Sequence, residues 1–144
     1  MTIQFFLMVN KQGQTRLAQY FFDITLQERT TLEGELVRKC LSRSPIKSSF
    51  LDHQKWKIVY RKYASLYFIV GLDQDDDCEQ GYYSFIHNVV ETFDKYFESV
   101  CELDIMFNIE KAHYILDEMM QNGNIIESNK GLILSPLYAL EKAT

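Results

Sequence analysis

The stretch Ile3–Phe22, IQFFLMVNKQGQTRLAQYFF, constrains the fold of this chain more than any other. Two apolar runs flank the polar segment Asn10–Lys11–Gln12–Gly13–Gln14. A tight reversal between extended runs needs a residue that accepts positive φ, and Gly13 does so because it has no Cβ. The spacing predicts a β-hairpin with strands over Ile3–Asn10 and Gln14–Phe21, opening an α/β domain.

Downstream, Thr25–Arg43 reads as an amphipathic helix. Leu32, Leu36 and Cys40 recur every four residues, with Glu33, Val37 and Leu41 beside them, and Pro45 follows where a helix should stop. Strands fit Ser49–His53, Lys55–Arg61 and Ser65–Leu72. The last is almost continuously apolar, LYFIVGL, as suits a central strand covered on both faces. From Gly81 a long helix carries Tyr82, Ile86, Val89, Phe93, Tyr96, Phe97 and Val100 at helical spacing. A second helical stretch, Leu103–Gln121, carries Met106, Ile109, Leu116 and Met120, with Asn122–Gly123 as its stop. In the tail, Ile125–Thr144, Pro136 argues against one continuous helix. The order ββ-α-βββ-α-α predicts an α/β (α+β) domain over residues 1–144. Its five-stranded antiparallel sheet is sandwiched by helices.

A chain of 144 residues can bury roughly 68–70% of its unfolded surface, enough for its own core. Its net charge of −5 argues against nucleic-acid binding, which needs clustered Lys and Arg, and against docking on anionic lipid by charge alone. No apolar run reaches the roughly 20 residues of a spanning helix, and the start lacks the basic region of a signal peptide. Cys40, Cys78 and Cys101 are odd in number and form no C-x-x-C pair, so free thiols in the reducing cytosol are expected.

No chemistry of catalysis is legible. His53, His87 and His113 fall on three different elements, and no H-E-x-x-H, Walker A, G-x-S-x-G or dinucleotide glycine pattern occurs. His87 reads as a hydrogen-bonded core or interface residue. Glu91 and Asp94 share a helix face that reads as solvated beside Lys95. The acidic loop Asp73–Glu79, DQDDDCE, lacks the spaced ligands, glycine and terminal Glu of an EF-hand and reads as a solvated turn. No catalytic residue, metal or cofactor is expected.

Four segments together carry a resemblance: MVNKQGQTRLAQY at Met8–Tyr20, WKIVYRKYASLYFIVGLD at Trp56–Asp73, FIHNVVETFDKYFESVCELDIMFN at Phe85–Asn108, and KAHYILDEMMQNGNIIES at Lys111–Ser128. In these the chain resembles, over nearly its whole length, the small (sigma) chains of heterotetrameric adaptor complexes. The Asn-Lys-Gln-Gly-Gln turn and Glu102–Leu103–Asp104 look most like the adaptor-complex-four branch. The resemblance implies a longin-like fold and a non-enzymatic subunit in vesicle-mediated protein transport. It implies direct seating on a large chain, beside the other large chain and a medium chain. The location implied is the cytosolic face of trans-Golgi network or endosomal membranes, with membrane association through the complex.

The family also helps bind acidic-dileucine signals, in which an acidic residue precedes two bulky aliphatics by a few positions. Such a ligand needs a cation and an apolar pocket. Arg16 matches the arginine that receives the acidic or phosphorylated end, and its planar fork suits either group. Ala64 and Leu66, two apart and so on one side of a strand, match the pocket together with Val90, Ser99 and Val100. Ser99 stands where the best-known pocket carries an asparagine, and offers a peptide backbone one short hydroxyl. Trp56, Tyr60, Phe107 and Tyr114 are candidate anchors for the large chain or members of the chain's own core. The rival readings are another adaptor's sigma chain, the coatomer zeta chain, a longin-domain fusion protein (which needs a heptad segment and an anchor after residue 144) and a small cytosolic enzyme.

Overall fold

The computed structural model describes residues 3–42, 50–63, 65–74, 79–98, 100–121, 124–125 and 134. The elements run β1 (Ile3–Asn10), β2 (Thr15–Tyr20), α1 (Leu26–Ser42), β3 (Phe50–His53), β4 (Trp56–Tyr63), β5 (Leu66–Asp73), α2 (Glu79–Phe97), α3 (Glu102–Phe107), α4 (Ile109–Met119), β6 (Met120–Gln121) and β7 (Asn124–Ile125). The five-stranded sheet has the order β2-β1-β5-β4-β3, and every pairing in it is antiparallel. This is the sheet between helices expected above, with β1 and β5, its two most apolar strands, near its centre.

Strand alternation divides the core into two layers. Phe6, Met8, Phe68, Val70 and Leu72 face α2 and α4 and pack with Ile86, Val89, Phe93, Ile115 and Leu116. Phe5, Leu7, Val9, Ile58 and Ile69 face α1 and pack with its Leu32, Leu36, Val37 and Cys40. A register shift between Ile3 and Phe5 makes Gln4 the extra residue of a bulge. That is why Ile3 and Phe5, two apart, lie in different layers. Thr25 starts α1 as expected, its hydroxyl accepting the Glu28 N–H at 3.1 Å.

The hairpin turn closes on Asn10, whose side-chain oxygen accepts the Gln12 and Gln14 N–H groups at 3.0 and 2.8 Å. Gly13 has φ +87, and a Cβ there would lie 2.8 Å from Val37 Cγ1 on α1. It is therefore glycine for its conformation and for the close approach of the helix.

Several expectations need correction. The helical stretch Leu103–Gln121 is two helices, because Asn108 (φ −131, ψ 41) interrupts it and its amide donates to Asp104 O at 3.0 Å. Asn competes for backbone bonds in just this way. Met120, expected on that helix, begins β6, and β6 and β7 pair on either side of Asn122–Gly123. Asn122 and Gly123, expected as the helix stop, lie outside the described residues. Met106 faces outward, 41% exposed, while its neighbour Ile105 is in the core. Strand β4 runs two residues beyond its expected end, to Tyr63. The acidic run Asp75–Cys78 lies outside the described residues, as does the tail beyond Ile125 except Leu134, which is helical and buried.

Candidate functional site

Arg16 is placed by a bulge. Met8 pairs with Leu17 and Val9 with Thr15, so Arg16 is the extra residue on β2. A bulge re-aims its side chain. The Arg16 Nε–H donates to Glu102 Oε1 at 2.6 Å, and Nη2 donates to Gln14 Oε1 at 2.8 Å. Asn10 Nδ2 donates to the same two oxygens, at 2.8 Å to Glu102 and 2.9 Å to Gln14. The Asn10 amide and the Arg16 guanidinium hold the Glu102 carboxyl below the usual carboxylate range, so it is an anion at neutral pH.

Leu66 and Val100 lie at the same end of the sheet. Leu66 opens β5 directly opposite Asn10. Val90 on α2 and Val100, just past its end, are buried in the same layer as Leu66. The Val100 N–H donates to Asp94 Oδ1 at 2.8 Å, and Tyr63 OH donates to Asp94 Oδ2 at 2.5 Å. Tyr63 in turn pairs with Leu66 across the β4–β5 ladder. Asp94 is thus an anchor for the chain leaving α2, and not the freely solvated carboxylate expected. Arg16, Leu66 and Val100 are linked through Asn10, Glu102, Asp94 and Tyr63, and Val90 shares the core layer of the two apolar residues.

Two candidates, Ala64 and Ser99, lie outside the described residues. Leu66, Val90 and Val100 are packed on core side chains. Two leucines enter here only if these side chains part.

Sequence reasoning did not single out Glu102, Asp94 or Tyr63 as members of this cluster. Glu102 lies 86 positions from Arg16, and no local pattern announces such a pairing. Asn10 did carry a signal, since Asn before a glycine-containing turn is an ordinary turn-closing residue.

Several other polar groups make structural or surface pairs. His87 is an exposed residue and not a core one: its Nε2 meets Glu91, and its Nδ1 lies 2.5 Å from Arg61 Nη1. Since guanidinium can only donate, Nδ1 accepts and Nε2 carries the proton that faces Glu91. Gln19 Nε2 on β2 likewise approaches His113 Nδ1 on α4 at 3.0 Å. Of the four anchor candidates, Trp56 and Tyr60 are buried in the α1 layer and Tyr114 is partly buried on the α2–α4 layer. Phe107 is 78% exposed, beside Leu103 at 57%. Cys40 is buried and Cys101 exposed, and neither forms a disulfide.

Residues 2–144 match the family described as the clathrin adaptor complex small chain. The AP-4 complex subunit sigma of Arabidopsis thaliana is 59% identical over 99% of each chain. The AP-4 complex subunit sigma-1 of Homo sapiens is 52% identical over 97% of this chain and 96% of its own length. Among solved structures, a chain in the homology model of the full-length AP-3 complex in a stretched open conformation superposes with a TM-score of 0.78. It is 29% identical and covers 98% of this chain and 94% of that one. The longin-like sheet, the hairpin that opens it and these similarities together establish that the chain belongs to the clathrin adaptor complex small-chain family, the small subunits of vesicle-coat adaptors.

Proposed function

We propose that this chain, as one longin-like domain over residues 1–144, is the small chain of an AP-4-type heterotetramer. It seats against a large chain and stabilises a core that also holds the second large chain and the medium chain. It acts from the cytosolic face of trans-Golgi network or endosomal membranes, without catalysis. It also supplies part of an acidic-dileucine signal site. Arg16 receives the acidic residue, and Ala64, Leu66, Val90, Ser99 and Val100 line the place of the two leucines. The observation that carries this reading is the convergence of Arg16, Leu66 and Val100 on one end of the sheet, with Val90 in the same core layer. The exposed side chains of Leu103, Met106 and Phe107 support the need for a partner chain.

Expressed alone, the chain is expected to self-associate, and with the large chain to give a stable one-to-one pair. A monodisperse monomer that ignores the large chain overturns the assembly part. In the assembled core, Val100→Asp puts an unpaired charge among apolar groups, at a cost of several kcal/mol by order of magnitude. Binding of a fluorescent acidic-dileucine peptide should be lost, while a tyrosine-signal peptide still binds the medium chain. Unchanged dileucine binding removes Val100 from the site.

A further inference from the structure

We propose that Glu102 is a built-in competitor for the guanidinium of Arg16: an acidic cargo residue reaches Arg16 only against a carboxylate already in place. The inference rests on the reading that Arg16 receives the signal's acid, and deepens it by naming what sets the strength of that contact.

The geometry carries it. An Nε–H···O contact of 2.6 Å to an ionised carboxylate is a strong, charge-assisted bond. Glu102 is not a chance neighbour, because it is held from two sides. Asn10, nearly inaccessible to solvent, donates to the same oxygen, and Glu102 is the first residue of α3. Gln14 is fixed by Asn10 in the same way and takes a second guanidinium N–H. Among the described residues, Arg16 therefore has two of its five N–H donors engaged and three left. The pair is open enough to be reached, with side chains 25% and 23% exposed. An incoming carboxylate either evicts Glu102 from Nε or bonds the remaining donors beside it. Eviction leaves Glu102 to Asn10 alone. Sharing brings two carboxylates together on one cation, and they repel. Either route weakens the acidic contact relative to a neutral residue at position 102. The competition persists at neutral pH because Asn10 and Arg16 keep Glu102 ionised.

The competing account is that Glu102 only pins α3 to the hairpin. It predicts that losing the carboxylate harms binding of every peptide alike. The test uses the assembled adaptor core and fluorescence polarisation with two labelled peptides, one with a glutamate a few residues before two leucines and one with that glutamate changed to alanine. Glu102→Gln should tighten the acidic peptide about three-fold and leave the alanine peptide unchanged. The gain should vanish in an Arg16→Ala background. Glu102→Asp keeps an acid in the first turn of α3 but withdraws it from Arg16, so it should shift binding in the same direction by less. It also serves if the glutamine variant does not assemble. An equal change for both peptides, or a loss with the acidic one, overturns the competitor. Failure of the reading beneath it looks different: Arg16→Ala in otherwise unaltered core then affects the two peptides equally. If Arg16→Ala is selective for the acidic peptide and neither Glu102 variant gives a gain, the competitor alone is overturned.

Discussion

Phe5 and Phe6 are neighbours in sequence and belong to different cores. Phe6 faces α2 and α4, and Phe5 faces α1. Five strands about 4.8 Å apart make a surface roughly 19 Å across, while a helix is about 10 Å in diameter. Among the described residues, α2, α3 and α4 pack on one face, and their aliphatic and aromatic side chains make a continuous layer with it. On the other face α1 is the one described helix, too narrow to cover it. There the remaining width is covered by rings: Phe5 meets Trp56 edge-on at 5.6 Å and Tyr20 at 5.8 Å, and Phe22 meets both Trp56 and Tyr20. Arg29 of α1 lies 4.4 Å over the Tyr20 ring, and Tyr20 OH donates to Glu33 at 2.5 Å. Burial and that bond push the Tyr20 hydroxyl far above its ordinary range, so it stays protonated. A groove of about 380 Å3 remains beyond the edge of α1, between Phe22, Ile24, Gln27 and Trp56. The difference teaches that rings complete the cover where α1 alone lies on the sheet, while three described helices share the work on the other face. The candidate cargo residues Leu66, Val90 and Val100 sit on the second.

The sharpest way to break this comparison is to truncate the two neighbours separately. Phe5→Ala and Phe6→Ala should each cost about 3–5 kcal/mol, read as a lowered urea midpoint. Near-equal costs mean that the aromatic cover packs as fully as the helical one. A cost for Phe5→Ala below about 2 kcal/mol would show a loose α1 face that collapses around the deletion.

A smaller effect tests how closely the one-helix face is packed. A Cβ at Gly71 would fall 2.1 Å from the Phe5 ring. Gly71→Ala should destabilise by about 1–3 kcal/mol through overpacking. In a Phe5→Ala background the added methyl has room, so the second substitution should cost far less. A urea-melt double-mutant cycle reads this coupling. Strict additivity would mean that the ring swings aside at no cost and that the layer is not tightly filled.

The smallest effect marks the outside of α2. His87 and Glu91 are paired one turn apart on α2, with side chains 49% and 43% exposed. Such surface pairs contribute little, so Glu91→Gln should change stability by less than about 0.5 kcal/mol. A larger loss would extend the structural role of α2 to its solvent side.

Much of this was legible beforehand because it is local. The hairpin at Gly13, the amphipathic period of α1 and the apolar run of β5 each lie within a few residues, where φ preference and side-chain period act. Even so, Asn108 divided what periodicity read as one helix, because its amide competes with the backbone. In the short α3 that precedes the interruption, Phe107 is exposed and Ile105 is buried. The candidate site was legible as residue types and family positions, but not as contacts. Asp94 read as a solvated acid until the structure put Tyr63 and the Val100 N–H against it.

By itself, then, the sequence determined the types of the principal elements, the two-sided burial of β5, and the family to which four matching segments assign the chain. All of these are carried by spacing along the chain. Only the tertiary structure decided which residues meet at the end of the sheet. The bulge at Arg16, the strand order that sets Asn10 beside Leu66, and the start of α3 at Glu102 are separate local events. Their meeting at 2.6 Å depends on the register of the whole sheet and the path of α2 across it, since a one-residue slip would send each side chain to the opposite face.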